Sequence, residues 1–128
     1  MKTQKLAVIG AGHVGSHVLA YAASSELFGE IAVIDPRDKI AYGEALDQDH
    51  ATGLISRRNI NIHSGGYEEV ADADIVIVSA THVYAPDPVP ADRQELIKNN
   101  AAIFREILDN IVNYTRDAIL IFITNPAD

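Results

Sequence analysis

The sequence predicts an α/β fold, a doubly wound parallel sheet of five strands in spatial order 3-2-1-4-5 with flanking helices. Three observations carry that prediction. Short apolar runs alternate along the chain with longer stretches at helical spacing, the pattern of strands joined by crossover helices. The clearest run, Ile75-Val76-Ile77-Val78, is β-branched throughout, as strands covered on both faces are. The first run ends in a glycine-rich turn that opens at once into helix-forming sequence. Right-handed crossovers then give the strand order.

The elements follow in turn. Leu6 to Ile9 is a short apolar run ending at a glycine, and that length and flank favour a buried strand. Val14, Val18, Leu19 and Ala22 recur at intervals of three and four, predicting a helix from His13 to Leu27 that ends near Gly29. Ile31 to Ile34 reads as the second strand, stopped by Asp35-Pro36. Lys39 to Ala51 reads as the second helix, with Gly53 as its stop. Asn59 to His63 has the alternation of a third strand, and Gly65-Gly66 marks a loop after it.

Ile75 to Val78 is the fourth strand. Between Thr81 and Ala91 stand Pro86, Pro88 and Pro90, which predict a loop of restricted, extended backbone. A connection of that length is usually functional or mobile. Asp92-Arg93-Gln94-Glu95 has the spacing of a capping box, and Ile97, Phe104, Ile107, Leu108, Ile111 and Val112 continue one long amphipathic helix. Ala118 to Ile123 is the fifth strand, closed by Thr124-Asn125-Pro126.

At 128 residues, 48% apolar and 22% charged, the chain has the size and composition of one globular domain. Residues 1–128 are therefore read as a single dinucleotide-binding domain, for the reasons that follow. No cysteine is present, which excludes disulfides and thiolate metal sites and fits a reducing compartment. The formal charge of −8 leaves no broad basic footprint for nucleic acid or anionic lipid. No apolar run approaches the ~20 residues of a membrane span. The expectation is a soluble, cytoplasmic protein that holds any anionic ligand by local dipoles.

Gly10, Gly12 and Gly15 form a GxGxxG turn between the first strand and the first helix, and Asp35 ends the next strand 20 positions after Gly15. In that context the motif is the dinucleotide-binding fingerprint. Gly10 permits the tight turn, Gly12 removes the side chain that would block a pyrophosphate, and Gly15 lets the helix pack closely on the sheet. The first helical amides, at His13 and Val14, and the helix dipole then favour an anion. Asp35 would accept hydrogen bonds from the adenosine ribose, and its charge would repel a 2′-phosphate, so NAD is favoured over NADP. Arg37 is read as a solvated surface arginine, with the alternative that it offsets that repulsion. A purely structural reading also stands: a tight strand-to-helix connection, with Asp35-Pro36 as an ordinary turn.

With these segments placed, the chain resembles the N-terminal part of the L-lactate and malate dehydrogenase family over essentially its whole length. The residues that carry the resemblance are GAGHVG at 10–15, VIDP at 33–36, GEALDQDHA at 43–51, ADADIVIVSA at 71–80, DRQELIKNN at 92–100 and ITNPAD at 123–128. The resemblance implies a Rossmann-type NAD-binding domain, with Gly10, Gly12, His13, Val14, Gly15, Asp35, Ala80 and Asn125 toward the cofactor. It makes Arg93 the arginine that a mobile loop delivers to polarise the reacting carbonyl, against the plainer reading of an exposed first-turn residue. It makes Asn125 the asparagine that hydrogen-bonds substrate oxygen near the nicotinamide ribose, against an Asn-Pro turn starter. It further implies a small 2-oxo or 2-hydroxy acid as substrate and a homo-oligomer pairing through the helix that carries Gly43 to His50.

The sequence departs from the family in two places. Where relatives commonly have a glycine soon after the fourth strand, Ala80-Thr81-His82 stands here. The following loop is longer and richer in proline, and it lacks the extra arginine with which malate dehydrogenases hold a second carboxylate. An L-lactate-like or branched monocarboxylate is therefore expected.

The family's proton-donating histidine, its aspartate partner and a second, carboxylate-clamping arginine have no match in this chain, so the substrate domain is read as absent from it. His13, His17, His50 and His63 read as solvated or packed, and His82 is the one near the expected cleft. No metal site is expected: Glu68-Glu69, Asp72-Ala73-Asp74 and Asp47-Gln48-Asp49 read as solvated faces or helix-terminal charges. The expectation is a cofactor-binding half that turns over nothing by itself and exposes an apolar sheet edge. The alternative is a stand-alone NAD(H) sensor, to which a loop carrying an arginine would be of no use.

Overall fold

The computed structural model describes residues 3–55, 59–81 and 91–124. Its elements are β1 (Lys5–Ile9), α1 (His13–Ser25), β2 (Glu30–Ile34), α2 (Asp38–Ile55), β3 (Asn61–Ser64), a 3-10 turn (Tyr67–Val70), β4 (Ile75–Val78), α3 (Arg93–Tyr114) and β5 (Ile119–Phe122). All strand pairs are parallel, in the order β3-β2-β1-β4-β5. The expected topology is the one observed.

β1 lies at the centre of the sheet, between β2 and β4, and every one of its residues is buried. Its register aligns Val8 with Val33 on one side and Ile77 on the other. Alternate residues serve opposite cores. Leu6, Val8, Ile31 and Val33 pack beneath α1 and α2, against Leu19, Ala23, Ala41 and Ala45. Ala7, Ile9, Val76 and Val78 pack on the other face against Ile107 and Ile111 of α3. Each fully buried leucine or isoleucine contributes roughly 1.5–3 kcal/mol, so the two clusters hold the helices on both faces of the sheet.

The boundaries differ from expectation at several places. α1 stops at Ser25, with Glu26 in the left-handed region at φ 58°. The Ser24 and Ser25 hydroxyls donate back to the carbonyls of Ala20 and Ala22, and the Leu27 amide donates to Ser25 Oγ. Serine thus offers the backbone an alternative to another helical turn. α2 runs through Gly53 to Ile55, since one glycine costs a helix only about 1 kcal/mol. β3 lies at Asn61–Ser64, slightly later than the alternation indicated. The 3-10 turn had no signal in the periodicity; its Val70 is fully buried against the α3 side of the sheet.

β5 forms one edge, and its Ile119 and Ile121 are 63% and 41% exposed. Their register places them on the face of Ile75 and Ile77, beyond the reach of α1. An open apolar trough of about 620 Å³ continues that surface along α1, lined by Val14, Val18, Tyr21, Leu27, Phe28 and Ile77. No helix among the described residues is long and apolar enough to cross a membrane.

Candidate cofactor site at the carboxyl ends of the strands

Open parallel sheets place ligands beyond the carboxyl ends of their strands, where the strand order reverses. In this sheet that point lies between β1 and β4, whose connections leave on opposite faces. The glycine turn emerges there. The Gly10 amide donates to the Ile34 carbonyl at 2.8 Å, and the Ser79 amide donates to the Ile9 carbonyl at 2.9 Å. One turn is therefore tied to the ends of both neighbouring strands.

Each glycine has a separate physical reason. Gly10 has φ +101°, and a Cβ on it would lie 2.7 Å from the Ala80 nitrogen. A Cβ on Gly15 would strike the carbonyl oxygen of Gly10, so Gly15 sets how closely α1 approaches the turn. Gly12 differs from both. Among the described residues a Cβ there would meet nothing within 4 Å, so their packing does not demand a glycine.

Gly12 is also the N-cap of α1, with no side chain capping the helix. The first turn of any helix leaves amides without intrahelical partners, and here they follow directly on Gly12, where a Cβ would meet none of the described residues within 4 Å. His13 and Val14, the first residues of that turn, are exposed. A diphosphate fits this donor set by charge and by room.

Asp35 stands at the end of β2 and is 6% exposed. Its Oδ2 accepts the Ala11 amide at 2.8 Å, binding the acid to the glycine turn. Oδ1 accepts the Arg37 amide at 2.9 Å, so Asp35-Pro36 also forms a turn, as the purely structural reading has it. The Arg37 guanidinium forks onto the same carboxylate, Nε to Oδ1 at 2.9 Å and Nη2 to Oδ2 at 3.0 Å. This corrects the reading of Arg37 as a merely solvated side chain: it is half exposed, and it is bound. Burial pushes the Asp35 carboxyl up, but the Arg37 fork and the Ala11 and Arg37 amides outweigh it and hold the group below its usual range.

Ala80 is half-buried against Gly10, and its carbonyl accepts the hydroxyl of buried Thr124 at 3.0 Å. That bond joins the chain leaving β4 to the chain leaving β5. Asn125 follows directly but lies outside the described residues, as do His82, Pro86, Pro88 and Pro90. Arg93 is exposed and opens α3 behind Asp92, whose side chain accepts the Gln94 amide at 2.9 Å. The structure thus brings Gly10, Gly12, His13, Val14, Gly15, Asp35 and Ala80 to one end of the sheet. Ser79 and Thr124 lie in the family-like stretches 71–80 and 123–128, but sequence reasoning gave neither a role; they act by hydrogen bonds between strand ends.

At the opposite end of the sheet two acids of those runs, Glu69 and Asp72, gather on a lysine, while Glu68 and Asp47 are exposed as expected. Lys5 Nζ lies 2.6 Å from Asp72, 2.8 Å from Glu69 and 3.5 Å from Glu30. His63 Nε2 is 2.8 Å from Glu30. Glu30, His63 and Glu69 bring potential ligand atoms within 4.8 Å of one another, and the Lys5 ammonium already supplies positive charge to the two acids.

A parallel sheet in this order, with a glycine turn at its switch point and an acid at the end of β2, defines a dinucleotide-binding domain. The family model for the lactate/malate dehydrogenase NAD binding domain matches residues 4–128, and the chain belongs to that family. It is 43% identical over 124 residues to L-lactate dehydrogenase 2 of Clostridium acetobutylicum, covering 97% of this chain and 38% of that protein. The minor L-lactate dehydrogenase of Enterococcus mundtii, in its ligands-bound form, superposes with a TM-score of 0.88 at 31% identity, over 98% of this chain and 39% of that one. Lactate dehydrogenase from Eimeria maxima, solved with NADH and oxamate, gives a TM-score of 0.88 at 29% identity over 100% of this chain and 38% of that one. The chain spans well under half the length of these relatives.

Proposed function

We propose that residues 1–128 form one domain that binds NAD(H) and serves as the cofactor half of an L-2-hydroxy acid dehydrogenase. The observation that carries this reading is the open space at Gly12 beside an uncapped helix N-terminus, with Asp35 bonded to the same turn. Gly10, Gly12 and Gly15 would admit the diphosphate, the His13 and Val14 amides would hold it, and Asp35 would hold the adenosine ribose. Ala80 and Asn125 would border the nicotinamide half. Bound nicotinamide supplies or accepts a hydride.

The chain's own contribution to turnover is positioning and charge. The Arg93 guanidinium would stabilise negative charge developing on the carbonyl oxygen of a 2-oxo acid. The Asn125 amide would donate to the same substrate. A proton donor and a carboxylate-clamping arginine would come from the part of the relatives that this chain does not match. The relatives named L-lactate dehydrogenases support a small monocarboxylate as substrate. Cytoplasmic location, supported by the lack of cysteine, and a homo-oligomer complete the reading.

The test is a fluorescence titration of the 128-residue chain with NADH, beside its Gly12→Val variant. Binding weakened at least about tenfold, with a melting temperature lowered by no more than the few degrees an N-cap change costs, supports the reading. Equal binding by both proteins overturns it.

A further inference from the structure

We infer that Arg37 sets how this pocket discriminates the adenosine ribose: it occupies the Asp35 carboxylate that a 2′-hydroxyl needs, and swung off that carboxylate it is the cation for a 2′-phosphate. The inference rests on the nucleotide-binding reading above and goes beyond it, because NADP enters as a second ligand of the same pocket.

The count of acceptor positions carries the argument. An ionised carboxylate offers about four lone-pair positions. In Asp35, Oδ1 accepts from the Arg37 amide and Nε, and Oδ2 accepts from the Ala11 amide and Arg37 Nη2. A ribose diol therefore finds no unclaimed position. The two amide bonds belong to the turn and to the start of α2, where the Arg37 carbonyl accepts the Ile40 and Ala41 amides. The two guanidinium bonds belong to a flexible side chain that is 50% exposed. It is the side chain that yields.

The consequence differs for the two nucleotides. For NAD, the ribose hydroxyls replace a charge-assisted fork, so Arg37 opposes binding. For NADP, the displaced guanidinium can pair with the phosphate, and it offsets the repulsion that Asp35 alone would exert. A lone acid at the end of β2 would reject NADP; the Asp35–Arg37 pair tolerates it.

The experiment measures NADH and NADPH dissociation constants for the 128-residue chain and for its Arg37→Ala and Arg37→Lys variants, with melting temperatures alongside. Both substitutions keep the backbone groups that start α2. Arg37→Ala is expected to tighten NADH binding a few-fold and weaken NADPH binding at least about tenfold. Arg37→Lys, a cation without the planar fork, is expected to retain NADPH binding within about threefold. A NADH to NADPH preference that Arg37→Ala leaves unchanged, with NADH still bound, overturns the role of Arg37 and leaves the cofactor reading standing. Failure of the unaltered chain and both variants to bind NADH overturns the cofactor reading and this inference with it.

Discussion

The hydroxyl of Ser79 reaches the carbonyl oxygen of Gly10 at 3.0 Å, across the boundary between β4 and the glycine turn. It also lies 3.2 Å from the Ile9 carbonyl, so a single proton is shared by two acceptors of β1 and its turn. The turn is thereby held where α1 meets it, since a Cβ on Gly15 would lie 2.7 Å from the same hydroxyl. Ser79→Ala is expected to lower stability by about 1 kcal/mol, the net worth of a hydrogen bond, and to weaken NADH binding on the order of threefold. Urea unfolding and a NADH titration measure the two effects separately.

The glycines should separate into folding and binding classes. Gly15→Ala drives a methyl into the Gly10 carbonyl, and Gly10→Ala combines φ +101° with a clash at Ala80. Each is expected to cost about 3 kcal/mol or more, or to prevent folding. Gly12→Ala places its methyl in open space and is expected to cost no more than about 1 kcal/mol as an N-cap change, yet to weaken NADH binding. Melting temperatures of the three variants rank them; equal losses would refute the division.

The strand order and the glycine turn were legible because both are local patterns with one physical meaning. A β-branched run such as Ile75 to Val78 has few alternatives to a buried parallel strand. GxGxxG between a strand and a helix states its own geometry. What escaped was set by partners distant in sequence. Arg37 reads as a surface residue until the Asp35 carboxylate is seen beside it. Glu69 and Asp72 read as solvated acids until β1 brings Lys5 between them. Ser79 and Thr124 acquire their roles only when the ends of β1, β4 and β5 meet. Helix ends slipped because serine hydroxyls stopped α1 early and Gly53 failed to stop α2.

Lys5 is the shared partner of three carboxylates, and its own side chain is only 6% exposed. Burial lowers its affinity for a proton, but the hydrogen bonds to Asp72 and Glu69 and the nearby charges outweigh burial and raise its pKa above the ordinary 10.5. Lys5→Met removes the cation and leaves Glu30, Glu69 and Asp72 facing one another. The expected loss is about 2 kcal/mol at neutral pH, below the range for fully buried pairs because the acids are partly solvated. A raised pKa contributes stability that is present below 10.5 and is lost as pH rises through the folded value. The gap between the two proteins should therefore narrow in strongly alkaline buffer, which unfolding curves at successive pH values would measure.

His63 provides a second pH dependence, nearer neutrality. Its Nε2 faces Glu30 at 2.8 Å, and its Nδ1 faces the Ser64 carbonyl at 3.3 Å. Both partners accept, so both ring nitrogens must donate, and only the imidazolium satisfies that arrangement. Glu69 lies 3.9 Å from Nε2 and adds to the field, while Lys5 opposes it from across the two acids. Burial pulls the ring toward neutrality, but the bonds to Glu30 and Ser64 and the acidic field prevail, raising its pKa above 6.5. The stabilisation is complete below 6.5 and fades as pH rises through the raised value. His63→Gln keeps polarity without charge and is expected to cost up to about 1 kcal/mol at pH 6 and less at pH 9. Urea midpoints at the two pH values decide the matter: a cost that does not change with pH would mean that the ring is neutral and the Glu30 contact is not an ion pair.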